Sequence, residues 1–200
     1  LSDFQYLCAN YKFFRDGHVC EECLHGAYYH GLIHRCMKGS LAVSGTRVLS
    51  MYLDRFRGTK NKIAAFVAPS RVVLNKMVEG GFPPRIMHHI PTFVSVADKT
   101  PVFEPGDYIL YAGAIDPFKG VRVLLDAYEA MRHRERVRLV IAGYSLGDEE
   151  DFLKSEVARR RIPGVEFPGF QQGEDLTRLY SNARCVVMPT LWYENMPNVV

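Results

Sequence analysis

Tyr108-Ile109-Leu110-Tyr111-Ala112-Gly113-Ala114-Ile115-Asp116-Pro117-Phe118-Lys119-Gly120 is the stretch on which the fold turns. Residues 108–112 are an apolar run closed by Gly113, Pro117 and Gly120 punctuate a turn, and residues 121–131 place apolar side chains at helical spacing. The same unit of strand, loop and helix recurs downstream. Residues 137–142 form a second apolar run ending at Gly143, and 148–161 form a charged amphipathic helix stopped by Pro163 and Gly164. Residues 165–167 read as a short strand, 174–182 as a helix, and 185–188 as an apolar strand closed by Pro189, inside which Cys185 reads as a small buried hydrophobe. Strands alternating with helices at this spacing predict a parallel, helix-covered sheet with right-handed crossovers. Ligands of such sheets bind beyond the C-terminal strand ends, where Gly113 and Gly143 would let backbone approach a ligand.

Upstream the pattern is less regular. Residues 44–56 read as a helix, 62–68 run into an apolar strand, 70–79 form a helix closed by Gly80-Gly81, and 88–90 are strand-like. Pro91, Pro101 and Pro105 then interrupt a stretch without periodicity, which reads as a linker. The expected organisation is one domain over residues 1–92, a linker over 93–106 and a second domain over 107–200.

With 48% apolar and 12% aromatic residues, the 200-residue chain has the composition of a packed protein and not of a disordered one. Its 25 basic and 22 acidic residues leave a net charge of +3, and the Arg-rich stretches at 132–138 and 159–161 fall at helix ends, so no nucleic-acid surface is expected. No apolar run is long enough to span a bilayer, and nothing near Leu1 resembles a signal peptide. No Gly-x-Gly-x-x-Gly follows any strand, which argues against a dinucleotide-dependent oxidoreductase. Cys8, Cys20, Cys23 and Cys36 lie in a loop-rich stretch with little apparent core of its own. One C-x2-C knuckle with two flanking thiols can hold a structural zinc; His18, His25, His30 and His34 are alternative ligands, and free thiols or two disulfides are the other readings.

Four segments, in order, carry a family resemblance. They are Tyr111-Ala112-Gly113 through Phe118-Lys119-Gly120; Val140-Ile141-Ala142-Gly143-Tyr144; Val165-Glu166-Phe167-Pro168-Gly169-Phe170 with Leu179-Tyr180-Ser181-Asn182-Ala183; and Met188-Pro189-Thr190-Leu191-Trp192-Tyr193-Glu194-Asn195-Met196-Pro197-Asn198. Together they resemble the group 1 (family four) retaining glycosyltransferases. Phe14-Arg15-Asp16-Gly17, the Cys20–Cys23 knuckle and His34-Arg35-Cys36 resemble a segment found in a subset of these enzymes.

The resemblance implies an α/β architecture of GT-B type: two Rossmann-like domains, each with a parallel sheet, acceptor domain first and donor domain second, both truncated within these 200 residues. It implies transfer of a sugar from a nucleoside diphosphate sugar to a glycan or lipid-linked acceptor in cell-envelope polysaccharide synthesis. The site would be cytoplasmic, at the inner face of a membrane. No cofactor is implied for the chemistry, and no Asp-x-Asp motif closes a strand. By position, Lys119 would meet the diphosphate, Gly113 and Gly143 would line the donor, and Gly169 and Phe170 would face the nucleobase. Glu194 would contact the transferred sugar as the catalytic carboxylate, and Asn195, Met196 and Pro197 would present backbone to the diphosphate at a helix start. In a sheet over residues 106–200, Gly113, Gly143, Gly169 and Glu194 are expected to converge at one end.

Three positions depart from the family pattern: Ser2 stands where a His is usual, Ala114 where an Arg clamps phosphate, and Thr92 where an Asn follows proline. Arg122 is the nearest candidate to replace the missing cation at Ala114. These departures motivate an alternative reading as a degenerate nucleotide-sugar-binding module without transferase activity.

Overall fold

The computed structural model of the chain describes residues 3–93 and 106–195. Ser2, Met196, Pro197 and nearly all of the expected linker lie outside the described residues. The chain divides into two compact units, the first comprising Leu1–Val94 with Trp192–Asn198 and the second Ser95–Leu191.

In the first unit a two-residue hairpin, β1 (Phe14–Arg15) and β2 (His18–Val19), leads to the short helix α1 (Tyr29–Ile33) and the long helix α2 (Leu41–Phe56). Ser40 caps α2 by accepting from the Val43 N–H, so the helix starts three residues earlier than its apolar periodicity predicts. Strand β3 (Phe66–Ala68), helix α3 (Arg71–Glu79) and strand β4 (Met87–His89) follow, with Ser70 capping α3 in the same way. β3 and β4 pair in parallel, Phe66 opposite Met87. The irregular stretch before α2 is not short of core, contrary to its sequence reading. Phe4, Leu7, Phe13 and Leu24 are each at most 1% exposed and pack with Phe66, Val73, Met77 and Phe82. Aromatic spacing without periodicity hides this, because the burying side chains hang from turns.

The second unit is the predicted alternation: β5 (Tyr108–Ala112), α4 (Val121–Glu129), β6 (Arg138–Ala142), α5 (Glu149–Arg160), β7 (Val165–Gly169), α6 (Gly173–Ser181) and β8 (Cys185–Val186). The four strands form one all-parallel sheet in the order β7-β6-β5-β8. Period-two alternation sends Tyr111, Leu139 and Ile141 to the face covered by α4 and α5. Tyr108, Leu110, Val140 and Ala142 go to the face covered by α6. Cys185 is a correction: it is exposed, not buried, because β8 is an edge strand paired only to β5 among the described residues.

Tyr128 ties this unit together. Its ring is 1% exposed beneath the sheet, and its hydroxyl lies 3.0 Å from the Val137 carbonyl and 3.1 Å from that of Pro163. Tyr128→Phe removes the donor that these two carbonyls share, so an unfolding free energy lower by about 1–2 kcal/mol is expected. Denaturant titration with an unchanged m-value checks this; an unchanged midpoint would show that the hydroxyl contributes nothing.

Candidate functional site

Parallel pairing sets the C-terminal ends of β5, β6 and β7 side by side. The Gly113 N–H donates to the Ala142 carbonyl at 3.0 Å, and the Gly143 N–H donates to the Gly169 carbonyl at 2.9 Å. A Cβ on Gly143 would stand 1.8 Å from the Gly113 oxygen, so only glycine fits where these two loops cross. Beyond them opens a cavity of about 140 Å³ lined by Gly113, Ala114, Gly143, Tyr144, Phe170 and Leu176, among others. That is smaller than the roughly 300–1,000 Å³ of a complete small-molecule pocket and has room for one ring-sized group.

Three of the sequence-selected residues, Gly113, Gly143 and Phe170, thus line one cavity, and Gly169 braces it through its carbonyl. Tyr144 was missed by sequence reasoning as a site residue. Its ring meets that of Phe170 edge to face at 5.6 Å, and the two are 47% and 61% exposed. An aromatic directly after a strand-closing glycine was the available signal.

Lys119 ends a 3-10 turn, Pro117–Lys119, and is half-buried with its ammonium 5.9 Å from the Phe118 ring centroid. Gly120 follows at φ +73°, and a Cβ there would meet the Pro189 oxygen at 2.0 Å. The Leu191 N–H also donates to the Phe118 carbonyl at 3.0 Å, so the Lys119 loop is pinned by the chain that leaves β8. Lys119 opens onto α4, whose first turn carries no acidic residue and no side-chain cap. By contrast α5 begins with Glu149, Glu150 and Asp151, and α6 with Glu174 and Asp175. None of the three has a side-chain cap, so α4 is distinguished by its acid-free first turn, which leaves its dipole for an anion from outside.

Arg122 does not replace the cation absent at Ala114. Its guanidinium makes a two-pronged pair with Glu149 at 2.6 and 2.5 Å and stacks 3.9 Å from the Phe152 ring centroid. Glu149 is 6% exposed, so Arg122 neutralises a buried carboxylate.

Glu194 belongs with the first unit, whereas Gly113, Gly143 and Gly169 belong with the second. The Trp192 indole N–H donates to Glu194 Oε2 at 2.9 Å. Tyr193 packs against Phe4 and Phe13, lies under the Lys76 ammonium at 5.2 Å, and donates its hydroxyl to Glu21 Oε1. Lys76 reaches the same Glu21 oxygen at 2.7 Å. Burial works to raise Glu21, but the hydrogen bonds from Lys76 and Tyr193 outweigh it and hold the carboxyl below its ordinary range. The residue before Glu194 is therefore anchored on a charged node of the first unit. Glu194 and Asn195 themselves are half-buried.

Cys8, Cys20, Cys23 and Cys36 all line one cavity of about 10 Å³, and all are free thiols. Burial pushes Cys23 up to about 12 and Cys36 up to about 11. Among the described residues, however, the set of donor atoms that all lie within 4.8 Å of one another is Glu22, His30 and His34, not the cysteine quartet. A separate cavity of about 450 Å³ in the first unit is walled by Tyr28, Arg47, Arg55, Lys60 and Phe82, among others. Its three cations donate to the backbone carbonyls of Gln5, His25 and Gly81, so it offers no ready anion cradle.

The family described as glycosyl transferases group 1 matches residues 96–200. O-antigen chain mannosyltransferase B of Escherichia coli is 38% identical over 88 residues, which are 42% of this chain and 23% of that protein. Among solved structures, Alr3699/HepE of Anabaena in complex with UDP superposes with a TM-score of 0.55 at 17% identity, covering 64% of this chain and 38% of that one. TarM of S. aureus gives 0.54 at 16% identity, covering 66% of this chain and 26% of that one. The two structures establish a likeness of fold, and in every case the matched part is well under half of the relative's own length.

Proposed function

The chain belongs to the group 1 glycosyl transferases, and on that premise we propose that it serves a retaining transfer of a sugar from a nucleoside diphosphate sugar to a glycan or lipid-linked acceptor. The observation that carries this reading is the meeting of Gly113, Gly143 and Phe170 on one cavity beyond the C-terminal strand ends. The base or ribose of the donor occupies that cavity against the Tyr144–Phe170 pair. Lys119 and the acid-free start of α4 take the diphosphate, whose charge grows as the glycosidic bond breaks. Glu194 meets the transferred sugar, with Asn195, Met196 and Pro197 beside the diphosphate; this part, like retention at the anomeric carbon, is carried by the family resemblance alone. Residues 1–92 are the acceptor-side domain and 107–200 the donor side. HepE is described in complex with UDP and the Escherichia coli relative as a mannosyltransferase, both in keeping with a nucleotide-sugar donor.

Five free thiols suit a reducing compartment, and no helix among the described residues is long and apolar enough to cross a membrane. The proposed location is the cytoplasm, at the inner face of the membrane where lipid-linked acceptors are built.

Calorimetric titration with UDP and GDP tests the reading directly. Lys119→Ala is expected to raise the dissociation constant about tenfold, the loss of one charge-assisted contact of roughly 1.4 kcal/mol. If the unaltered chain binds neither nucleotide, the donor-site assignment is wrong.

A further inference from the structure

We propose that Glu22, His30 and His34 form a binding site for a divalent transition-metal ion of the zinc class. His30 and His34 lie one helical turn apart, at the start of α1 and at its C-cap, so their rings project to the same side. The rings are near-parallel, 9° apart, with centroids 6.0 Å from each other. His30 Nδ1 and His34 Nε2 face a single atom, Glu22 Oε2, at 3.2 and 2.7 Å. All three donor atoms lie within 4.8 Å of one another, close enough for one ion to bond all three. Two imidazole nitrogens and one carboxylate oxygen are the donor set of open zinc sites, with solvent in the fourth position.

Two further observations support an ion here. Arg15 holds the other Glu22 oxygen, Oε1, at 3.3 Å, which orients the carboxylate and leaves Oε2 toward the imidazoles, as an outer-shell partner does for a ligand. Glu22, His30 and His34 also border the cavity walled by the four cysteines, whose volume of about 10 Å³ admits one atom-sized occupant. The cysteines form the wall of this site and are not its ligands.

The ion has a structural consequence. Glu22 adjoins Glu21, which holds Tyr193 and Lys76. Clamping Glu22 to α1 therefore fixes the turn that anchors the residue before Glu194. That consequence rests on the role proposed for Glu194; the metal site does not.

The test is titration of the metal-depleted 200-residue chain with Zn(II), followed by elemental analysis after dialysis. One equivalent is expected to bind, and the melting temperature is expected to rise with zinc. Glu22→Gln, His30→Ala and His34→Ala should each weaken binding at least tenfold, whereas Cys20→Ser and Cys36→Ser should change it less than threefold. Substituted Co(II) should show ligand-field absorption without thiolate-to-metal charge transfer. Glu22 is a surface residue, so Glu22→Gln should melt as the unaltered chain does without metal and lose only the zinc-dependent rise. No uptake by the unaltered chain overturns the proposal. So does uptake that survives the three triad substitutions, or that needs the cysteines and carries thiolate charge-transfer bands. None of these readouts depends on nucleotide binding or transfer, so the metal site and the donor site fail separately.

Discussion

Glu194→Ala is expected to lower the turnover of sugar transfer at least about a hundredfold while leaving the affinity for nucleoside diphosphate within about threefold. The argument separates charge that changes during reaction from charge that is already present. A carboxylate at the transferred sugar acts on a centre that becomes cationic only as the bond to the leaving phosphate breaks, so its stabilisation appears in the transition state. In the proposed site Lys119 would meet a diphosphate that is anionic from the start, so its loss should fall mainly on binding. Some turnover should still be lost at Lys119, because the leaving group gains charge. Steady-state kinetics on the longest form of the protein that transfers sugar, set beside the nucleotide titrations, distinguish the two residues. Normal transfer by Glu194→Ala would remove that residue from the site. If the unaltered protein binds nucleotide and transfers nothing, the non-catalytic binding-module reading takes its place. Ala114 and the commitment of Arg122 to Glu149 favour that second outcome, since together they leave Lys119 without the usual arginine beside it.

The first two strands of the second unit's sheet were legible because each is a short apolar run closed by glycine and followed by a helical period. Parallel pairing of β5 with β6 brings their C-terminal ends together, which is where Gly113 meets Gly143. What escaped the sequence were properties set by neighbours. Cys185 sits in an apolar run, yet an edge strand exposes it. Arg122 carries the right charge near the right loop, but a buried Glu149 from the next helix claims it. The opening stretch has no period, although Phe4, Leu7, Phe13 and Leu24 bury as deeply as any strand residue. Cysteine spacing pointed to the cavity that Glu22, His30 and His34 also border, but not to Glu22, which gains its partners only when α1 turns His30 and His34 toward it. Nothing local shows that Tyr193 reaches Glu21, a contact spanning most of the chain.

Gly143→Ala is expected to destabilise the second unit by at least about 2–3 kcal/mol and to abolish measurable nucleotide binding. The added methyl would lie 1.8 Å from the Gly113 oxygen and 3.0 Å from its carbon, contacts that no rotamer change relieves because both partners are backbone. To make room, the ends of β5 and β6 must part, which strains the Gly113–Ala142 and Gly143–Gly169 hydrogen bonds and deforms the cavity between them. Gly169→Ala is the control. Its φ of +75° makes a side chain unfavourable, but no atom stands within 4 Å of the new Cβ, so only backbone strain of about 1–2 kcal/mol applies. Nucleotide binding should survive there, because the Gly169 carbonyl still accepts from Gly143. Thermal unfolding should fall by roughly 8–24 °C for Gly143→Ala, at about 4–8 °C per kcal/mol for a unit of this size, and by clearly less for Gly169→Ala. Equal losses at the two positions would mean that the close approach of the β5 and β6 loops does not shape the donor site.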